Sequence, residues 1–470
     1  MPAPRRAPPD RLLLAFGAAY VALRLAHLVR WDLWFDELFG VGLAYLDWSG
    51  LLARAAADQT NPPLFYLLLK GWVALGGADP AWLRLLPLGI ALLALWPLVR
   101  LLALLRPPGA ARTAALALFA VSPMLVFYAV ELRAYALLFL LGTAALLETA
   151  RLTLEDAPGP GAAPRLALWN VLLVYTHYFG GFVIAAEWAA FLLLRRERWR
   201  VALLSALPAV VAFLPWAAAV VHAAAASHTV APTIAWIARP GLTELLAAPG
   251  FLLALGAPRP LAGVGLLALA LAVLGVRAPA ADPRARATRR LLALFATIPA
   301  LLAFVASWLL PRSIWSPRYL IESAAPAIVL IGLGLTTLGP RAARAATLAL
   351  ALLALGTLGW GADAKTGWRT LTARLDDGQG APLEVYTFES YTALPLRYYA
   401  GLDGRALDVR MVRAPSELAG ADGWVVERPG AWPGGDHGSE ALRRWGLTVT
   451  DSASASGPGE LVQAWRWRRP

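Results

Sequence analysis

The feature that most constrains this chain is the recurrence of apolar runs long enough to cross a lipid bilayer. A helical crossing needs about 20 mostly apolar residues. Such runs stand at 11–30, 82–105, 112–128, 134–151, 163–177, 179–195, 200–224, 259–277, 290–310, 318–338 and 343–361. With 59% of 470 residues hydrophobic and 15% charged, the apolar surface exceeds what one soluble core can bury. The expected fold is a multi-pass α-helical membrane protein with about eleven spans, thirteen being the upper limit. The runs 163–177 and 179–195 are brief, so they read as short or tilted crossings, or as a pair turning at Gly180-Gly181 below the surface. Pro62 to Gly77 carries Lys70 near its middle, and counting it as a crossing would move the next basic loops to the other side. It is read as a helix at the outer interface, opened by first-turn prolines.

A net charge of +12 would suggest nucleic acid in a soluble protein. Here the arginines cluster in short connections between apolar runs, where retention in the cytoplasm and attraction to anionic lipid headgroups account for them. Nucleic acid is therefore not an expected partner, whereas membrane lipids are. Arg5, Arg6 and Arg11 precede a run too long for a signal peptide and without a convincing small-residue cleavage site, so it reads as a retained first span. With a cytoplasmic N-terminus, alternating the runs puts Arg106/Arg112, Arg151/Arg165, Arg195 to Arg200, Arg284 to Arg290 and Arg341/Arg344 all on the inside. The outside then receives the loop 31–81, the turn Tyr128 to Arg133, Thr176-His177-Tyr178 and Arg312 to Arg318. Cysteine is absent, which excludes disulfides and thiolate metal sites.

From Lys365 the composition turns to charges, glycine and short β-prone runs: Leu383 to Phe388, Leu407 to Val412, Gly423 to Val426, Leu447 to Val449 and Leu461 to Trp467. The expected division is a membrane domain, 1–362, and a small soluble α/β domain, 363–470, facing outside the cytoplasm of a cell-membrane protein.

Several polar motifs fall on that outer side. Asp36-Glu37 follows Trp31, Trp34 and Phe35, aromatics suited either to anchoring a loop at the interface or to stacking on a sugar. A carboxylate beside low-dielectric surroundings can be tuned to take a proton from an acceptor hydroxyl, which makes Asp36 and Glu37 candidate catalytic acids. Asp58 stands just before Asn61-Pro62-Pro63, where Asn61 is also a good helix cap. Tyr128, Arg133 and Tyr135 form a second group, and Arg312, Arg318 and Tyr319 a third. Guanidinium binds phosphate oxygens in fork geometry at any working pH, so these are candidate substrate-binding residues. His177 and Tyr178 complete the set. No glycine-rich nucleotide loop is present, and the residues name no metal, although a divalent cation would suit the acids.

Taken in order, these motifs resemble the multi-pass GT-C glycosyltransferases, in the bacterial branch similar to protein O-mannosyltransferases and lipid A aminoarabinose transferases. The matching residues are Asp36-Glu37, Asp58 with Pro62-Pro63, Arg133 with Tyr135, Thr176 to Phe179, and Arg318-Tyr319, within about residues 11–340. The resemblance implies a polyprenyl-phosphate sugar donor and inverting transfer on the periplasmic or extracellular face, to a lipid, glycan or protein acceptor, with Asp36 as base. Asn61 departs from the basic or imidazole residue usual before Pro-Pro in that family. The competing readings are a transporter or flippase, or a polymerase or ligase, for lipid-linked saccharides. A transporter predicts charges deep in the spans and inverted halves; the sequence reads as having its charges at span ends, no obvious duplication and a large external domain.

Overall fold

The computed structural model describes residues 10–227, 237–254, 262–280, 282–358, 367–375, 383–387, 390–405, 407–412, 415–427, 438–457 and 460–470. Arg5, Arg6, Lys365 and the boundary expected at 362/363 lie outside these residues. Each of the eleven apolar runs contains a helix. The first is α1 (Arg11–Ala26), started by Asp10, whose carboxylate accepts from the Leu12 and Leu13 amides. The loop after it folds into α2 (Phe35–Ala44), α3 (Trp48–Asp58) and α4 (Leu64–Gly76). α5 (Pro80–Leu93) is capped by Asp79 and runs on into α6 (Leu95–Leu105). α4 packs against α2 and α5, and against the later helix Ala162–Thr176.

The run 112–128 is split into α7 (Gly109–Val121) and α8 (Pro123–Phe127). Pro123 has no N–H to offer the Phe119 carbonyl four residues back. The fully buried Arg24 of α1 fills that gap: its guanidinium donates to Phe119 O at 3.3 Å and Ala120 O at 3.2 Å, and lies 3.3 Å over the Tyr20 ring. A charge inside an apolar helix is thus explained by a broken helix beside it.

α9 (Tyr135–Leu154), α10 (Ala162–Thr176), α11 (Gly180–Leu194) and α12 (Trp199–Ser227) follow, then the short α13 (Leu242–Ala247). α14 (Ala262–Arg277), α15 (Pro283–Leu309), α16 (Ala324–Thr336) and α17 (Pro340–Gly356) complete the bundle. Among the described residues, five helical stretches have the length and hydropathy to cross a membrane: Pro80–Leu105, Tyr135–Leu154, Arg196–Ala226, Pro283–Leu309 and Pro317–Thr336. Shorter apolar helices, including Gly109–Val121, Gly180–Leu194 and Gly263–Arg277, pack among them. The fold is that of a multi-pass membrane protein. α15 begins earlier than the apolar run at 290, because Asp282 caps it and Pro283 opens it ahead of four arginines.

The basic loops gather at one end. Arg284 donates to Leu154 O and Leu104 O, Arg195 to Thr153 O, and Arg198 to Leu152 O. These arginines satisfy the last carbonyls of α9, which have no intrahelical partner. Glu148, fully buried, pairs with Arg151 and Arg165 at the same end. The opposite end of α9 begins at Tyr135 and carries the acidic and Arg-Tyr motifs.

The C-terminal part forms a five-stranded mixed sheet of order β2-β1-β3-β5-β4. The strands are β1 (Leu383–Thr387), β2 (Leu407–Met411), β3 (Asp422–Glu427), β4 (Thr448–Gly457) and β5 (Glu460–Arg468). β1 pairs in parallel with β2 and β3, while β5 is antiparallel to β3 and β4. Helices α18 (Trp368–Arg374), α19 (Ser390–Leu402) and α20 (Gly438–Arg444) cover it. The strand expected at 447–449 runs to Gly457. Its Ser-Ala alternation has low β-propensity, and pairing with β5 supplies the extension.

Helix contacts in the bundle rest on small residues. A Cβ on Gly334 of α16 would overlap Leu271 O of α14, and one on Gly275 would overlap Leu330 O. Gly334→Val is therefore expected to destabilise the protein by about 1–3 kcal/mol, seen as a lower midpoint of thermal unfolding in detergent. Gly17→Ala, where a Cβ meets nothing within 4 Å, should leave the midpoint in place.

Candidate active site

Asp36 and Glu37 occupy the first turn of α2, where the helix dipole favours carboxylates. Adjacent helical residues point about 100° apart, so the two acids face different surroundings. Glu37 is fully buried. One of its oxygens accepts from the Leu132 amide at 2.8 Å and faces Arg84 Nη1 at 3.5 Å. The other accepts from the Trp34 amide. Arg84, 1% exposed, donates further to Val130 O, Trp31 O and Asp32 O at 2.6–3.0 Å. This network ties the strand-like segment 31–34 to the turn 128–134.

Asp36 is partly exposed and faces cations. Its carboxylate is 3.9 Å from Arg318 Nη1, and its carbonyl accepts from Arg133 Nη1 at 3.1 Å. Arg133 comes from the irregular turn that Glu37 and Arg84 hold. Arg318 comes from a 3-10 segment, Pro317–Ser323, that precedes α16.

Aromatic rings join these cations to the remaining motifs. Tyr135 lies 4.7 Å from Tyr128 and 6.2 Å from Tyr319 between ring centres, and Arg318 sits 5.3 Å over Tyr319. His177, the C-terminal cap of α10, is 4.9 Å from Tyr319 and 6.5 Å from Tyr135. Its Nδ1 accepts from the Phe179 amide, which leaves the proton of the neutral ring on Nε2. The Tyr135 hydroxyl is buried and has no hydrogen-bond partner among the described residues.

Asp58 ends α3 and accepts from the Thr60 hydroxyl. It lies within electrostatic reach of Arg133, Arg54 and Asp36, and of Tyr178. Asn61 is buried next to it. Arg312 stands exposed six residues before Arg318, and no hydrogen bond or ion pair joins it to the cluster among the described residues. Tyr178 turns its ring toward Phe213 of α12. Two side chains not singled out from the sequence are central to the geometry: Arg84 and Tyr66, the latter reached by the charges of Arg133, Asp58 and Asp36. A lone arginine inside an apolar run was the signal for Arg84.

Pro317 and Leu320, of the segment that carries Arg318, line an apolar cavity of about 230 Å³ together with Met124, Leu245, Phe251 and Ala300 among others. No three His, Asp or Glu side chains gather to hold a metal ion among the described residues. Asp36 meets Arg318 and Arg133 instead.

No family model and no curated protein matches the sequence. Among solved structures, the chain is similar to ArnT from Cupriavidus metallidurans bound to undecaprenyl phosphate. That match has a TM-score of 0.59 at 15% identity, over 97% of this chain and 98% of that one. The apo form of ArnT matches at 0.59 and 14% identity, over 96% and 97% of the two chains. The oligosaccharyltransferase AglB from Archaeoglobus fulgidus, in complex with an inhibitory peptide and a dolichol-phosphate, matches at 0.50 and 12%, over 83% of this chain and 63% of that one. The chain has an ArnT-like fold.

Two predictions follow from the buried network and the half-buried acid. Arg84→Met strands the Glu37 charge and is expected to cost about 3–5 kcal/mol, read as a lowered unfolding midpoint that the double variant with Glu37→Gln partly restores. Burial pushes Asp58 above its ordinary 3.8, against the opposing pull of Thr60, Arg133 and Arg54. A raised acid binds its proton more tightly when folded, so its stabilising contribution is full below the ordinary value and lost as pH rises through the raised one. Asp58→Asn should flatten that part of the stability profile in a pH series of unfolding midpoints.

Proposed function

We propose that this protein is an inverting glycosyltransferase that uses a polyprenyl-phosphate sugar as donor on the extracytoplasmic face of the membrane. The observation that carries the reading is the meeting of Asp36 with Arg133 and Arg318, the latter on a segment whose Pro317 and Leu320 line an apolar cavity. Those are the three environments the chemistry needs: a carboxylate, a cationic cradle and an apolar wall. The ArnT-like fold supports it, since the matched ArnT structure holds undecaprenyl phosphate.

In this reading Asp36 takes the proton of an acceptor hydroxyl as its oxygen attacks the anomeric carbon. The bond from that carbon to the phosphate oxygen breaks, and the electron pair leaves with the polyprenyl phosphate. The leaving group gains negative charge, which Arg133 and Arg318 neutralise in place. The Tyr135 hydroxyl is available to a phosphate oxygen, and the apolar cavity suits the first isoprene units. Tyr128 and Tyr319 orient Arg318. Glu37 is assigned a positioning role through Leu132 and Arg84, and Asp58 with Asn61 and Tyr178 shapes the sugar or acceptor side. His177 packs the cluster.

The test is to incubate the purified protein with undecaprenyl-phosphate pentoses and hexoses and trace consumption and product by mass spectrometry. Donor consumption with formation of a new glycoside is expected, and Asp36→Asn should lower the rate about 10²- to 10⁴-fold. Wild-type rates in that variant would remove Asp36 as base. Movement of lipid-linked sugar between leaflets without a new glycosidic bond would make the protein a transporter.

A further inference from the structure

The C-terminal sheet domain touches the loop that carries Asp36. Leu33 is fully buried, and its amide donates to the Tyr399 hydroxyl at 2.6 Å. The neighbouring Asp32 carboxylate accepts from the Arg369 amide at the start of α18, at 3.1 Å. Two residues further on, the Phe35 ring stacks on Tyr391 with centres 5.1 Å apart and planes 25° from parallel. Asp36 is next in the chain.

Tyr399 is a rigid contact. It is 1% exposed, and its ring belongs to the core of the sheet domain with Trp368, Leu396 and Trp424. Its hydroxyl therefore transmits the position of that domain to a backbone atom three residues before Asp36. From the membrane domain, Arg84 holds the carbonyls of Trp31 and Asp32 in the same segment. Two domains fix opposite sides of one short extended stretch. Tyr398 offers an internal contrast: its hydroxyl donates to Ala78 O at 2.6 Å, in the turn between α4 and α5, rather than to residues 31–36.

We propose that Tyr399 is a positioning residue for the base, through which the C-terminal domain sets the placement of Asp36 against Arg133 and Arg318. This rests on the reading of Asp36 as base. A base displaced by about 1 Å can lose about two orders of magnitude in rate. The domain is accordingly a part of the active site's framework, and its removal or loosening lowers turnover without weakening the hold on the lipid phosphate.

The test compares Tyr399→Phe with Tyr398→Phe in the full-length protein. Hydrogen–deuterium exchange over residues 31–38 is expected to be about tenfold faster in Tyr399→Phe, because the buried Leu33 amide loses its acceptor. Tyr398→Phe should leave that segment unchanged. With the undecaprenyl-phosphate sugar consumed fastest by the wild type, Tyr399→Phe should lower kcat about 10- to 100-fold with donor KM and undecaprenyl phosphate binding unchanged. If Tyr399→Phe does not fold, Tyr391→Leu carries the same expectations. Unchanged exchange at 31–38, equal loosening in both tyrosine variants, or an unchanged kcat while Asp36→Asn is inactive would each overturn the proposal. A wild-type rate in Asp36→Asn would overturn the underlying assignment instead.

Discussion

The arrangement of this molecule's polar end depends on one buried ion pair. Glu37 and Arg84 are both removed from water, and an isolated charge there would cost several kcal/mol. Each depends on the other and on backbone groups: the Leu132 and Trp34 amides bond Glu37, and the carbonyls of Trp31, Asp32 and Val130 bond the two Nη atoms of Arg84. The pair therefore fixes two irregular segments against each other, and those segments bring Asp36 and Arg133 together.

The same economy governs charges elsewhere in the bundle. Arg24 replaces the amide that Pro123 lacks, and Arg195, Arg198 and Arg284 close the last turn of α9. In an apolar environment every unpaired carbonyl is costly, so arginine serves as a movable donor wherever a helix breaks or ends. This explains why a strongly basic chain has so few free-standing reasons for its charge: much of it is spent on backbone groups at one end, leaving Arg133 and Arg318 with Asp36 at the other.

Much of the fold was legible. Each apolar run contains a helix, because length and hydropathy leave a lipid-embedded segment no other way to satisfy its backbone. The five strands were visible as short β-prone runs; β3 and β5 exceed theirs by one residue at each end, and β4 by eight at its C-terminal end, where its extension comes from pairing with β5 and not from its own side chains. The motif residues were legible as types in an order, and Asp36, Arg133, Tyr135, His177, Arg318 and Tyr319 do lie in one cluster. Arg84 was not, because a lone arginine in an apolar run looks the same whether it snorkels to an interface or is buried against a glutamate.

By itself, then, the sequence determined the membrane class, the helix positions and the residue types that gather at one end, since these follow from local hydropathy and periodicity. Tertiary structure decided what adjacent residues do. Asp36 and Glu37 are identical as charges in sequence, and the 100° turn of a helix sends one inward to Arg84 and the other toward Arg318. It also decided that Tyr399, 366 residues from Leu33, is that amide's partner, a contact that no local pattern encodes because it arises only when two separately packed cores meet.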